Sequence, residues 1–204
     1  MFGIRRMNSS PLRTWTKFLA VLTGLTLTGS LVLAQNQNAT PTLGQETPST
    51  KNLLVNGDFT KGTEGWTLNA TQKVGKMPID ETEKHGEKPS LRIDNIAGDD
   101  THLKQTVTVE PETRYRLEGY IRTKDLQSVS RTGKGGAQLV LDNSWQRSVT
   151  ISKTKSWTKV SVVIVSGAET QIDVGARLGY DLVTGTAWFA DLTMVKLGKA
   201  PPRR

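Results

Sequence analysis

The chain has 204 residues, with 27 lysines and arginines against 19 acids, two histidines and no cysteine. Without a thiol it can build neither a disulfide framework nor a zinc–thiolate or cysteine-nucleophile site. Residues 1–34 hold four of the basic side chains and no acid, which leaves 23 basic against 19 acidic residues elsewhere. That balance, with no basic stripe interleaved with aromatics, argues against nucleic acid as a partner.

Arg5, Arg6, Arg13 and Lys17 precede an apolar run from Phe18 to Ala34 that exits through Val32-Leu33-Ala34. A basic start, an apolar middle and a small-residue exit predict a signal peptide over 1–34, cleaved after Ala34. The expected location is secreted or periplasmic in a bacterial cell, with no membrane attachment after cleavage. Thr23, Gly24, Thr26, Thr28, Gly29 and Ser30 make the run only mildly apolar for a membrane span, and a retained signal anchor is the alternative. Residues 35–51, Q-N-Q-N-A-T-P-T-L-G-Q-E-T-P-S-T-K, cannot bury enough apolar surface to offset their ordering entropy and read as a disordered linker.

Short strands follow, separated by Gly, Pro, Asn and Asp. Asn52–Phe59, N-L-L-V-N-G-D-F, leads into a turn closed by Gly65-Trp66. Ser90–Asn95, His102–Val109 (ended by Pro111), Arg114–Thr123, Ala137–Leu141 and Ile172–Leu178 each alternate apolar and polar side chains. Trp157–Val165 and Thr186–Leu197 are more continuously apolar, as strands buried on both faces would be. Lys76–Lys88 and Asp125–Gly136 read as surface loops, and 199–204 as a basic tail. No window carries a helical period.

The N-L-L-V-N-G-D-F and Gly65-Trp66 opening and the closing A-W-F-A-D-L, Ala187–Leu192, bracket about 145 residues, the size of one β-sandwich. This pairing resembles the non-catalytic carbohydrate-binding modules of families four and nine, the CenC-like group with a galactose-binding-like jelly roll. The resemblance implies an all-β, two-sheet jelly-roll β-sandwich over 52–198, with roughly nine or ten short strands. It also implies a polysaccharide or glycan partner held on an exposed, concave sheet face. The group commonly holds a structural calcium between the N-G-x-F turn and the closing strand, where Asp191 matches. Thr60 stands where a glutamate is frequent, and Ala190 where a second acid is, so Asp191 has capping a turn or pairing with Lys196 as its alternative.

Period-two alternation supplies candidate ligand contacts. With Tyr115, Leu117 and Ile121 inward, Glu118, Tyr120 and Arg122 face outward; Leu139 and Leu141 inward leave Gln138 and Asp142 outward; Ile172, Val174, Ala176 and Leu178 inward leave Asp173 and Arg177 outward. A solvated sheet face would carry the same side chains. Trp66, Trp157 and Trp188 read as core. Trp145, in the polar D-N-S-W-Q-R segment, is the best candidate for stacking on a sugar, with Tyr120 beside it and Tyr180 next. Gln138, Arg122, Asp142 and Arg177 are the expected hydroxyl contacts. No catalytic motif is present, and Asp142, Asp173 and Glu118 are the carboxylates available to a glycosidase. An envelope interaction module with the same fold, or a small glycan hydrolase, are the competing functions.

Overall fold

The computed structural model describes residues 49–73, 75–129 and 133–202. The expected signal segment, the linker up to Pro48 and the last two residues of the basic tail lie outside them. Among the described residues there is no helix, and seven strands run in the order β1 Thr67–Ala70, β2 Ile79–His85, β3 Lys88–Thr108, β4 Thr113–Ser128, β5 Gly136–Leu141, β6 Lys153–Val165 and β7 Gln171–Lys199. All neighbouring strands are antiparallel, with the path β1-β3-β7-β4-β6, β2 added on β3 and β5 on β7.

Two strands, β3 and β7, are long enough to serve both layers of a sandwich. The first part of β3, Leu91–Asn95, pairs with Phe189–Gly185, and its second part, Thr101–Thr108, pairs with Leu178–Gln171. Register irregularities at Asn95 to Thr101 mark the change of layer. One layer is therefore β1, late β3, early β7 and β5. The other is β2, early β3, late β7, β4 and β6. Leu103, Leu139, Val174, Ala176 and Leu178 from the first meet Leu91, Ile93, Leu117, Ile121, Phe189 and Met194 from the second in one buried core. The result is an all-β jelly roll.

Sequence spacing expected more and shorter strands, because each bend in β3 and β7 looks like a strand end. The segment Lys76–Lys88 is no simple loop: it contains β2. Asp125–Gly136 gives up its first residues to β4, which runs to Ser128. Trp157–Val165 is not buried on both faces either, since β6 is an edge strand with Lys159, Ser161 and Val163 in solvent.

The opening and closing motifs meet directly. Asn52 accepts from the backbone N–H of Leu54 (3.1 Å) and of Met194 (2.9 Å), and its amide donates to the Leu192 carbonyl at 3.3 Å. The Leu192 N–H donates to the Gly57 carbonyl at 2.8 Å. Trp66 packs on Phe59 and donates from Nε1 to the Asn56 carbonyl. A Cβ on Gly57 would lie 2.0 Å from the Leu192 carbonyl oxygen, so the two motifs approach closely only because that residue is glycine. Gly57→Ala is expected to cost about 2 kcal/mol or more, lowering the melting temperature by about 5 °C or more; an unchanged thermal melt would contradict this seam.

Candidate functional site

The outer face of the first layer carries one connected run of polar side chains. Cross-strand pairing sets His102 beside Arg177 and Thr106 beside Asp173. Thr106 Oγ1 donates to Asp173 at 2.6 Å, and Lys104 Nζ donates to Asp173 at 2.9 Å and to Asp142 at 3.4 Å. His102 then places Nδ1 at 3.2 Å from Asp142 and Nε2 at 3.2 Å from Asp100. Arg177 closes the run with a two-pronged bond to Asp100, through Nε at 2.8 Å and through a terminal nitrogen.

Asp100 holds its position because the layer change brings it there. Beside it, the buried Asp99 carboxylate accepts backbone N–H groups from Gln72, Gly75 and Asp100, and Asn95 donates to the carbonyls of Asp99 and Leu178. A Cβ on Gly179 would lie 1.9 Å from an Asp100 carboxylate oxygen, so that glycine leaves the room in which the carboxylate sits. The next residue, Tyr180, donates its N–H to Asp100 at 3.2 Å and adopts φ 77°, a left-handed conformation that is costly for an aromatic residue.

Above this corner stands Trp145, 78% exposed. Its turn is pinned from both sides. The Leu141 N–H donates to the Gln146 carbonyl, the Gln146 N–H to Ser144 Oγ, and the Gln146 side chain exchanges hydrogen bonds with both backbone groups of Val165. Trp145 meets Tyr180 edge-on at 6.1 Å between ring centroids. The Arg147 guanidinium lies 4.2 Å from the Tyr180 ring centroid and 5.8 Å from that of Trp145. His102, Asp142, Trp145, Arg177 and Tyr180 line a cleft of about 320 Å³. Past the Asp142–Ser144 turn a second hollow of about 640 Å³ continues along Thr106, Gln146 and Asp173.

The charges in the run stabilise one another. Burial would raise the Asp100 carboxyl, but hydrogen bonds from Arg177 and His102 outweigh it and hold the group well below the usual carboxylate range. Bonds from Thr106 and then Lys104 keep Asp173 low despite partial burial, and Asp173 in turn raises Lys104.

Of the residues expected to make contacts, Trp145, Tyr180, Arg177 and Asp142 come together here. Gln138 does not face outward into solvent: it is fully buried, with Thr150 donating to its Oε1. The segment that follows Trp145 folds back along β5, bridging Ala137 to Ile151 and Val140 to Arg147, and so covers that position. Tyr120 and Arg122 project from the second layer, on the far side of the molecule from Trp145, since β4 pairs only with β6 and late β7. There Tyr120 stacks on His85 at 3.8 Å, Trp157 meets His85 edge-on, and Arg122 pairs with Glu83. Trp157 is thus half-buried on an outer face and not in the core, while Trp66 and Trp188 are buried as expected. His85 ends β2 instead of occupying a loop.

Sequence reasoning passed over His102, Lys104 and Asp100. The alternation in H-L-K-Q-T-V-T already places His102, Lys104 and Thr106 on one face. Asp100 gives no such signal, because it lies where the strand changes layer.

The fold family implies a calcium ion near Asp191. In this chain the Lys88 ammonium takes the place between the two candidate acids, 3.4 Å from Asp58 and 3.8 Å from Asp191, and Asp191 also bonds His85 at 2.7 Å. Lys196 meanwhile donates to Glu110. Calcium requires about six oxygens, and two carboxylates bridged by a cation do not fit it. Among the described residues no group of three or more His, Cys, Asp or Glu is arranged to hold a metal.

A family model for a carbohydrate binding domain matches residues 51–174. No curated protein is detectably similar in sequence. Among solved structures, a putative sugar binding protein from Bacteroides thetaiotaomicron is 18% identical, with a TM-score of 0.51 over 72% of this chain and 100% of that one. The first family-22 xylan-binding domain of Paenibacillus barcinonensis Xyn10C is 13% identical, with a TM-score of 0.50 over 78% of this chain and all of that one. The tandem pair of such domains from the same protein gives 14% identity and a TM-score of 0.54, over 78% of this chain and 50% of that chain. These likenesses concern the fold.

Two outcomes follow from the charges. Asp100 and Asp173 are held low, so their stabilising contribution is complete above the ordinary aspartate pKa of about 3.9 and is lost as pH falls through their lower folded-state values. Asp100→Asn should therefore destabilise the protein by about 1–3 kcal/mol at pH 7 and flatten the stability loss below about pH 4; chemical denaturation across pH measures both. Chelation with EDTA is expected to leave the thermal melt unchanged, while Lys88→Met lowers it; a melt raised by calcium would show the opposite.

Proposed function

The chain belongs to the carbohydrate-binding domain family, and we propose that it binds polysaccharide through the outer face of its first layer, at the cleft between Trp145 and Asp142. One observation carries the reading: a tryptophan 78% exposed stands on a turn pinned by the Leu141–Gln146 backbone bond and by the Gln146 side chain on Val165. A large exposed ring asks for a reason. A ring carried on a pinned turn lets a sugar stack with less entropy cost of ordering the backbone beneath it. The C–H face of a pyranose would lie on Trp145, and its hydroxyls would meet the Asp142, His102 and Arg177 side chains, whose bonded geometry orients the ligand.

The reading is one of recognition without catalysis. A glycosidase needs two carboxyls at working separation, with one raised to act as acid. Asp100 and Asp173 are both held low, and Glu118 lies on the opposite face. The basic and apolar 1–34 segment supports export, to the periplasm or outside the cell.

Trp145→Ala is expected to weaken retention on polysaccharide affinity gels at least tenfold, about 1.4 kcal/mol, with an unchanged melt. Trp157→Ala, on the other face, should leave retention intact, and no reducing ends should accumulate. Retention insensitive to Trp145 would overturn the reading.

A further inference from the structure

Resting on that reading, we infer that the cleft prefers acidic glycans, and that Arg147 is the residue that reads a sugar carboxylate beside Trp145. Five arginines are half-buried among the described residues: Arg92, Arg116, Arg122, Arg147 and Arg177. Four of them have a carboxylate close by: Arg92 at 2.8 Å from Asp94, Arg116 at 3.1 Å from Glu118, Arg122 at 3.1 Å from Glu83, and Arg177 at 2.8 Å from Asp100. Arg147 has none. Its contacts are with rings, Tyr180 on one side and Trp145 beyond it.

Withdrawing a guanidinium from water without an anion is unfavourable unless something else offsets it, and stacking on tyrosine and tryptophan supplies part of that. The same stacking fixes the plane of the group. A planar fork held against Tyr180 and near Trp145, two residues that line the cleft, is suited to the two parallel hydrogen bonds that a carboxylate accepts. Tyr180, whose backbone is left-handed, belongs to this arrangement, because its ring lies against the Arg147 guanidinium.

The charges of the face agree in place as well as in kind. Asp100 is satisfied by Arg177, while Asp142 and Asp173 share Lys104. Each of these acids is thus tied to a cation, Asp142 within the cleft included, while Arg147, beside Trp145, has no carboxylate close by among the described residues. A neutral sugar would gain ring stacking and hydroxyl contacts alone. A hexuronic acid stacked on Trp145 would add an ion pair at the Arg147 guanidinium.

The test compares a polyuronate with the same polymer after carboxyl reduction, by calorimetric titration of the full protein in low salt. The wild type is expected to bind the acidic form at least tenfold tighter. Arg147→Gln should erase that difference while changing affinity for the reduced polymer less than twofold, and Trp145→Ala should weaken both. Raising the salt to 0.5 M should shrink the preference, since a partly exposed pair is screened. Equal binding of the two polymers, or a preference that survives in Arg147→Gln, overturns the assignment and leaves the glycan reading standing. Failure of the wild type to bind either polymer, or any neutral polysaccharide in parallel, overturns that reading itself. Thermal melts confirm that each variant is folded.

Discussion

Two strands serve both layers of this sandwich, and the polar corner where they change layer decides what the protein can present to a partner. Backbone groups freed by the bends in β3 and β7 would be costly to bury unpaired. Asn95 and Asp99 take up several of them from within the core, and Thr101 in turn donates to Asn95. Asp100, adjacent to that satisfied corner, emerges on the outer face with its carboxylate fixed, and Arg177, His102 and Tyr180 are arranged around it. The fold is thus tied to the site by covalent adjacency: the residue that stabilises the bend is followed by the residue that organises the cleft.

Much of this was legible in the chain. Alternation placed Tyr115, Leu117 and Ile121 inside, and Asp173 and Arg177 outside, because a period of two is enforced wherever one face is buried. The opening and closing motifs carried the fold, and the hydrogen bonds that Asn52 exchanges with the closing strand, with the one Gly57 accepts from it, give the physical reason that they occur together. Trp145 stood out because a large ring among polar neighbours has no core to enter. Alternation, however, gives a side relative to its own strand and says nothing about which layer that strand joins. Tyr120 and Arg177 both point outward, yet from different layers, and a ligand touching one cannot reach the other. Gln138 failed for a related reason. Its strand is covered by the returning segment after Trp145, a tertiary event with no local signal. Trp157, opening a late strand, looked like core because large rings usually bury there, but it lies on an edge strand where only the inner positions are dry.

The two outer faces differ in character. On the second layer the rings cover each other: His85 lies on Tyr120 and is held by Asp191, and the guanidinium of Arg122 is joined to Glu83. That cluster fastens the β2 hairpin to the sheet. On the first layer the largest ring is exposed and its supports are rigid, which is the arrangement expected of a surface that waits for a ligand. Lys88, bridging acids from the opening turn and the closing strand, illustrates a second economy. Its side-chain ammonium joins the two carboxylates across the seam.

Mapping the backbone and indole amide resonances while a bound polysaccharide fragment is titrated in tests the account most directly. Shifts confined to the Asp142–Arg147 turn, to Ala176–Tyr180 and to the indole of Trp145, with the Trp157 indole and the Tyr120 amide unmoved, are the predicted result. Shifts centred on Tyr120, His85 and Trp157 would contradict it.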